Sequence, residues 1–118
     1  MIKFNAKIDI DENEIAGRIN NAINKAQFAL DMQVIKDSNY YAPEDTGELK
    51  RSALRASQIG KGQVIWDTPY ARRLYYNPQY NFSKDRNPNA QGLWFEKAKS
   101  VHQRDWANVV QKAVDENL

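Results

Sequence analysis

The sequence predicts an α+β fold. The expected architecture is a small, mostly antiparallel sheet of three to four strands, a long N-terminal helix packed across one face, and a C-terminal helix docked on the same core. Three observations predict it. Residues 2–10 alternate apolar and polar without a fault. From Asp11 to about Lys36 the apolar residues recur every three or four positions. The same helical spacing returns from Leu93 to about Glu116. A change of period from two to 3.6 marks the passage from strand to helix.

In the first strand Ile2, Phe4, Ala6, Ile8 and Ile10 fall on one face, with Lys3, Asn5, Lys7 and Asp9 on the other. One-sided burial suits an antiparallel or mixed sheet better than a buried parallel one. The first helix carries its stripe on Ile15, Ile19, Ala22, Ile23, Ala26, Leu30 and Val34. Asp11, Glu12 and Glu14 stand in its first turn, where the helix dipole favours negative charge. Gly17 weakens it slightly, and Pro43 closes the region, because the residue before a proline avoids helical geometry.

A shorter helix is expected from about Thr46 to Leu54. LRASQI and QVIWDT then read as two strands around the GKG turn. Thr68-Pro69 reads as a helix start, with threonine as N-cap and proline at the first helical position. The brief helix PYARRLYY stops at Asn77-Pro78. Residues 77–92 (NPQYNFSKDRNPNAQG) read as a long loop or flexible arm, and loops of that length in compact domains are usually functional or disordered. The last helix places Trp94, Ala98, Val101, Trp106, Val109, Val110, Ala113 and Val114 on one stripe.

The chain has 118 residues, so residues 1–118 are expected to form a single domain. With 42% hydrophobic residues it can bury one core. A net charge of +2 is not the strong basic field of a dedicated nucleic-acid binder. The absence of cysteine removes disulfides, thiolate zinc sites and thiol catalysis together. The opening MIKFNAKIDIDENE has no apolar run of signal-peptide length, and no segment approaches the ~20 apolar residues of a membrane span.

The stretch YYAPEDTGELKRSA (40–53) has the texture of a functional loop. Glu44 and Asp45 could be read as a general acid/base pair. Adjacent residues in a turn point apart, however, and no histidine or second carboxylate cluster is near in sequence. The structural reading is preferred: Asp45 or Thr46 caps the helix, with Glu48 completing a capping-box spacing, while Pro43 and Gly47 fix the backbone. Asp9, Asp11 and Asn13 have calcium-loop spacing, but Glu14 and Asn20 stand where that loop needs glycine and a bidentate glutamate. His102 is the only histidine and has no partner set for a metal. No glycine-rich phosphate loop or nucleophile elbow is present. The sequence therefore predicts no enzyme, no cofactor and no metal site.

The segment Tyr70–Arg86 interleaves Tyr70, Tyr75, Tyr76, Tyr80 and Phe82 with Arg72, Arg73, Lys84 and Arg86, against the single acid Asp85. Tyrosine and arginine are what protein interfaces favour. Aromatic platforms among cations can also stack bases. An assembly interface is the leading reading, and a small nucleic-acid-binding module using residues 70–86 is the alternative. Trp66 and Trp106 are expected in the core. Trp94 is expected to pin the long loop to the body, and it joins the candidate interface.

Three elements together resemble a known family. APEDTGELKRSA has the proline, Thr-Gly, leucine, lysine and serine pattern of small tailed-phage neck proteins. VIWDTPYARRLYYN carries a similar Thr-Pro-Tyr-Ala-Arg element. GLWFEKAKSVHQRDW resembles the family's ending of a tryptophan, Lys-Ala-Lys and a second tryptophan. The resemblance covers roughly residues 40–110. The group is the tailed-phage or prophage minor capsid protein family, related to head–tail joining and tail completion proteins. The resemblance implies a virion structural protein of the head–tail connector or neck, acting as a ring between portal and tail and assembled in the host cytoplasm. It makes Pro43, Asp45, Thr46, Gly47, Leu49, Pro69, Tyr70 and Ala71 a structural signature. The implied partners are further copies of the chain, neighbouring neck, portal and tail proteins, and DNA in the lumen, contacted without base specificity. No membrane is implied.

Overall fold

The computed structural model describes residues 1–8 and 17–118. The order is β1 (Ile2–Asn5), α1 (Gly17–Asn39), α2 (Glu48–Ala56), β2 (Gln63–Trp66), α3 (Ala71–Tyr75) and α4 (Trp94–Glu116). The expectations for Asp9–Glu14, including the end of the first strand, the start of the first helix and the calcium-like spacing, lie outside the described residues. So does Ile15.

Among the described residues the sheet has two antiparallel strands, β1 and β2, paired Ile2 with Trp66 and Phe4 with Val64. The expected alternation in β1 is present: Ile2 is buried and Phe4 half-buried, while Lys3 and Asn5 face solvent. The expectation of three to four strands is corrected. LRASQI is not a strand, because α2 runs on to Ala56 and only Gln58 forms an isolated bridge, to Gln63. Side chains take the place of a third strand. The Ser57 hydroxyl accepts the Ile65 N–H at 2.8 Å, and the Ser52 hydroxyl accepts the Asp67 N–H at 3.3 Å. The outer edge of β2 is thereby satisfied without another strand, as a buried edge must be. Val64, Ile65 and Trp66 are buried in succession, because β2 is covered on both faces.

Helices α1 and α4 form an antiparallel pair. Lys97 near the start of α4 lies 5.9 Å over the ring of Tyr41, just past the end of α1. Nine residues on, the Trp106 indole N–H donates to Asp37 at 2.7 Å, inside α1. The pair draws the molecule out to 50 × 24 × 20 Å. In α4, Trp94, Ala98 and Trp106 are buried and Val109, Val110, Ala113 and Val114 lie half-covered, as the stripe predicts for most of its members. Val101 departs from it at 50% exposure, beside exposed Tyr40 in a shallow groove. The core at this level is filled instead by Phe95, stacked on Trp106 at 6.1 Å.

An aromatic wall joins the halves of the chain. Phe4 stacks on Phe95 at 4.4 Å; Trp94 meets Trp66 and Tyr75 edge-on at 5.9 and 4.7 Å. Such pairs contribute about 0.5–1.5 kcal/mol each beyond the area they bury.

The buried stripe of α1 contains three polar residues, Gln27, Asp31 and Ser38, and the first two are joined. The Asp31 carboxylate accepts the N–H groups of Gly60 and Gly62 at 2.7 and 2.9 Å, and the Gln27 amide at 2.8 Å. Gln27 also donates to the Ala6 carbonyl and accepts the Ile8 N–H. This buried network clamps the end of β1 and the 58–62 turn onto α1. A buried carboxylate is tolerable when hydrogen bonds replace its lost water.

Candidate functional site

The turn at 43–47 enters α2 through Gly47, which sits at φ 86°, ψ 0°. That left-handed geometry is easy for glycine and costs an L-residue about 1–2 kcal/mol. Gly47 itself is the residue before the helix, and it has no side chain to cap with. The capping box is therefore corrected: Asp45 makes no hydrogen bond to the helix, and Thr46 offers the Glu48 N–H only a long 3.4 Å contact. The turn is held from outside by Arg51, which donates to the Thr46 carbonyl at 3.2 Å, and by the Glu44–Lys50 pair at 2.8 Å. Lys50, by hydrogen bond and by charge, holds the Glu44 carboxyl below its ordinary pKa.

The second motif follows β2. Thr68 is not an N-cap. Its carbonyl accepts the Ala71 N–H in a tight turn, and its buried hydroxyl has no partner. The helix consequently begins at Ala71, after Tyr70, rather than at Pro69. Ala71 is buried, while Pro69, Arg72 and Arg73 are exposed. Arg72 lies 5.7 Å over the ring of Tyr76.

Neighbouring tyrosines part company here. Tyr75 is fully buried and its hydroxyl accepts the Glu96 N–H; Tyr76 is 54% exposed. Tyr75 and Trp94 are thus core residues, a correction to their place in the candidate interface. The spacing of the aromatics carried no sign of this, because α3 is too short to show a stripe. Tyr80, Lys84 and Arg86 are exposed and Phe82 is half-buried.

The 77–92 segment is a loop whose ends meet and whose second half is strapped down. The Asn87 amide donates to the carbonyls of Tyr40 and Ala42 at 2.9 and 2.8 Å. The Gln91 N–H donates to the Tyr41 carbonyl, and the Leu93 N–H to that of Tyr75. Lys84 bonds the Ala90 carbonyl. Asn87, Ala90 and Gly92 are buried, so only residues 79–86 remain as a surface lobe. The sequence reading missed Asn87 as an anchor. Its signal is the Asn-Pro pair: the Asn87 side chain also accepts the Asn89 N–H, forming a local Asx turn.

The two motifs, far apart in sequence, come together in space. Pro43–Leu49, Tyr70, Leu74 and Ser83 line a groove of about 470 Å³. On the other flank of α3, Pro69, Arg72, Arg73, Tyr76 and Asn77 line a shallow cleft of about 480 Å³. Leu74 and Ser83 were not singled out from the sequence, and nothing in their spacing marks them.

The charged groups of the groove are largely paired. Glu44 is held ionised by Lys50, the wrong state for a general acid. Glu48 is tied to Arg51 and Arg55, and Arg55 also to Asp67. His102 pairs with Asp105 at 3.0 Å on the surface of α4, away from the groove. Among the described residues no group of three or more histidine, cysteine or acidic side chains is placed to hold a metal. No helix among them is long and apolar enough to cross a membrane.

The profile of the minor capsid protein family matches residues 6–114. No curated protein and no solved structure matches the chain. The family match spans all three elements on which the resemblance rests and both surfaces that flank α3. The chain belongs to the phage minor capsid protein family, which gives it a structural role in the virion.

Proposed function

We propose that this minor capsid protein is a head–tail connector or tail completion component of the phage neck. It assembles in the host cytoplasm as a ring of identical copies and meets portal and tail proteins. One observation carries the reading: on a chain of this family, Arg72, Arg73 and Tyr76 stand exposed in one cleft, and neither arginine has an ion-pair partner among the described residues. Arginine and tyrosine in that state are the residues that anchor protein interfaces. The PEDTG turn serves as backbone punctuation and as one wall of a contact groove. The chain performs no catalysis and needs no cofactor in this reading.

Light scattering of the purified chain, with negative-stain images of the same sample, tests it. Closed rings of one mass are the expected result. A chain that stays monomeric at every concentration, and that purified portal and tail proteins fail to retain, would contradict it.

A second reading draws on the same exposed arginines beside Tyr76: a small nucleic-acid-binding module, or sequence-blind contact with DNA in a ring lumen. It predicts that a labelled oligonucleotide is retained at low salt and released steeply as salt rises. No retention at low salt would end it.

A further inference from the structure

The two surfaces flanking α3 differ in a way that suggests what fills them. The groove has an apolar floor of Pro43, Leu49, Tyr70 and Leu74, and every charged residue lining it is acidic: Glu44, Asp45 and Glu48. The cleft on the opposite flank is lined by Arg72 and Arg73 and by no acid. Within the groove, Glu44 and Glu48 already carry Lys50, Arg51 and Arg55. Asp45 has no ion pair and no hydrogen bond from its side chain among the described residues, and it is exposed. Among the described residues both arginines are likewise without an acidic partner. Arg72 rests on the Tyr76 ring, which holds its guanidinium out on the surface.

Tyr70 and Leu74, four residues apart, look into the groove, while Arg72, Arg73 and Tyr76 belong to the other side of the same short helix. The two surfaces therefore cannot meet within one copy. We propose that they meet between copies: the Arg72–Arg73 ridge of one chain seats against the Asp45 rim of the groove on the next. The occupant of the groove is thus a second copy of this chain. Charge complementarity selects it, since a guanidinium fork and a free carboxylate make the stronger class of hydrogen bond. Different patches on opposite flanks give a head-to-tail contact, which closes into a ring or runs on as a filament, and not a two-fold dimer. The proposal rests on the assembly reading above and names its surfaces.

The chain has no cysteine, so single cysteines report cleanly. A Thr46→Cys chain and an Arg73→Cys chain, both changed at exposed positions that leave Asp45 and Arg72 in place, are mixed in equal amounts, oxidised gently, and scored for mixed against like disulfides. Light scattering is read on the unmodified chain. The expected result is a several-fold excess of the mixed disulfide over random pairing, abolished by Arg72→Glu in the Arg73→Cys chain. Random pairing beside oligomers of one mass would overturn this contact and leave the assembly reading standing. Random pairing with a monomer at every concentration would overturn the contact and self-assembly together. Random pairing with an oligonucleotide retained by the unmodified chain, and lost in Arg72→Glu/Arg73→Glu, would assign the ridge to nucleic acid and overturn the proposal.

Discussion

Two turns of this chain depend on glycine, and they are held by opposite means. The 58–62 turn is fastened from inside. A buried carboxylate, Asp31, takes the N–H groups of Gly60 and Gly62, and Gln27 carries the same network to β1. The 43–47 turn is fastened from outside by the half-buried Glu44–Lys50 ion pair and by Arg51 on the Thr46 carbonyl. The inner turn is committed to the core. The outer one keeps Asp45 unengaged beside a groove. The difference teaches where to look for function: the stretch that is conspicuous in sequence is lightly held and open, while the stretch that holds the fold is inconspicuous.

Breaking the inner turn gives the largest expected effect. Asp31→Ala leaves the buried Gly62 N–H, the half-buried Gly60 N–H and one of the two Gln27 amide hydrogens without a partner, at about 1–3 kcal/mol for each unsatisfied donor. Chemical denaturation is expected to show a loss of at least about 3 kcal/mol by that reckoning. A loss below about 1 kcal/mol, less than one orphaned donor costs, would mean that the turn does not depend on Asp31.

The glycines themselves come next. An alanine Cβ at Gly62 would lie 2.8 Å from the Lys7 Cα, at φ 77°, so backbone must move. At Gly47 the nearest atom is the flexible end of Arg51, at 2.7 Å, and φ is 86°. Gly47→Ala is expected to cost the left-handed penalty alone, about 1–2 kcal/mol. Gly62→Ala is expected to cost more, and equal losses in thermal unfolding would remove the distinction between the turns.

Asp45→Ala is expected to stay within about 0.5 kcal/mol of the parent, as for a surface residue with no special contact. A loss of about 1 kcal/mol or more would restore the helix cap that the structure denies it.

The smallest effect is a pH dependence. Lys50 lowers the Glu44 carboxyl below its ordinary 4.5 in the folded chain. A depressed folded value means that the pair stabilises above the unfolded pKa and that this is lost as pH falls through the folded one. For a pair at the surface, in reach of water, the gain is small. Carboxyl titration by NMR should show Glu44 returning toward 4.5 in Lys50→Ala; an unchanged titration would assign the shift elsewhere.

Much of this was legible in the sequence. The alternation from Ile2 and the long spacing from Trp94 to Val114 follow from burial on one side, and burial is what hydropathy records. The absence of a strand at LRASQI was not legible, because that stretch has a strand's composition while Ser52 and Ser57 do a strand's bonding. Asp31 was hidden for a related reason. An aspartate inside a helix reads as surface, and only the later folding of a glycine turn onto it makes it core. In the candidate site, composition pointed to Arg72, Arg73 and Tyr76 but could not separate them from Tyr75 and Trp94. A five-residue helix has too few turns to show a face. The meeting of the 43–49 and 69–74 motifs in one groove is tertiary, and no local pattern encodes it.

The proposed place of this chain is the phage neck. Immunogold labelling of purified particles against this chain tests it most directly. Label confined to the head–tail junction is the expected result. Particles without the chain, or label spread over the capsid shell or along the tail, would contradict it.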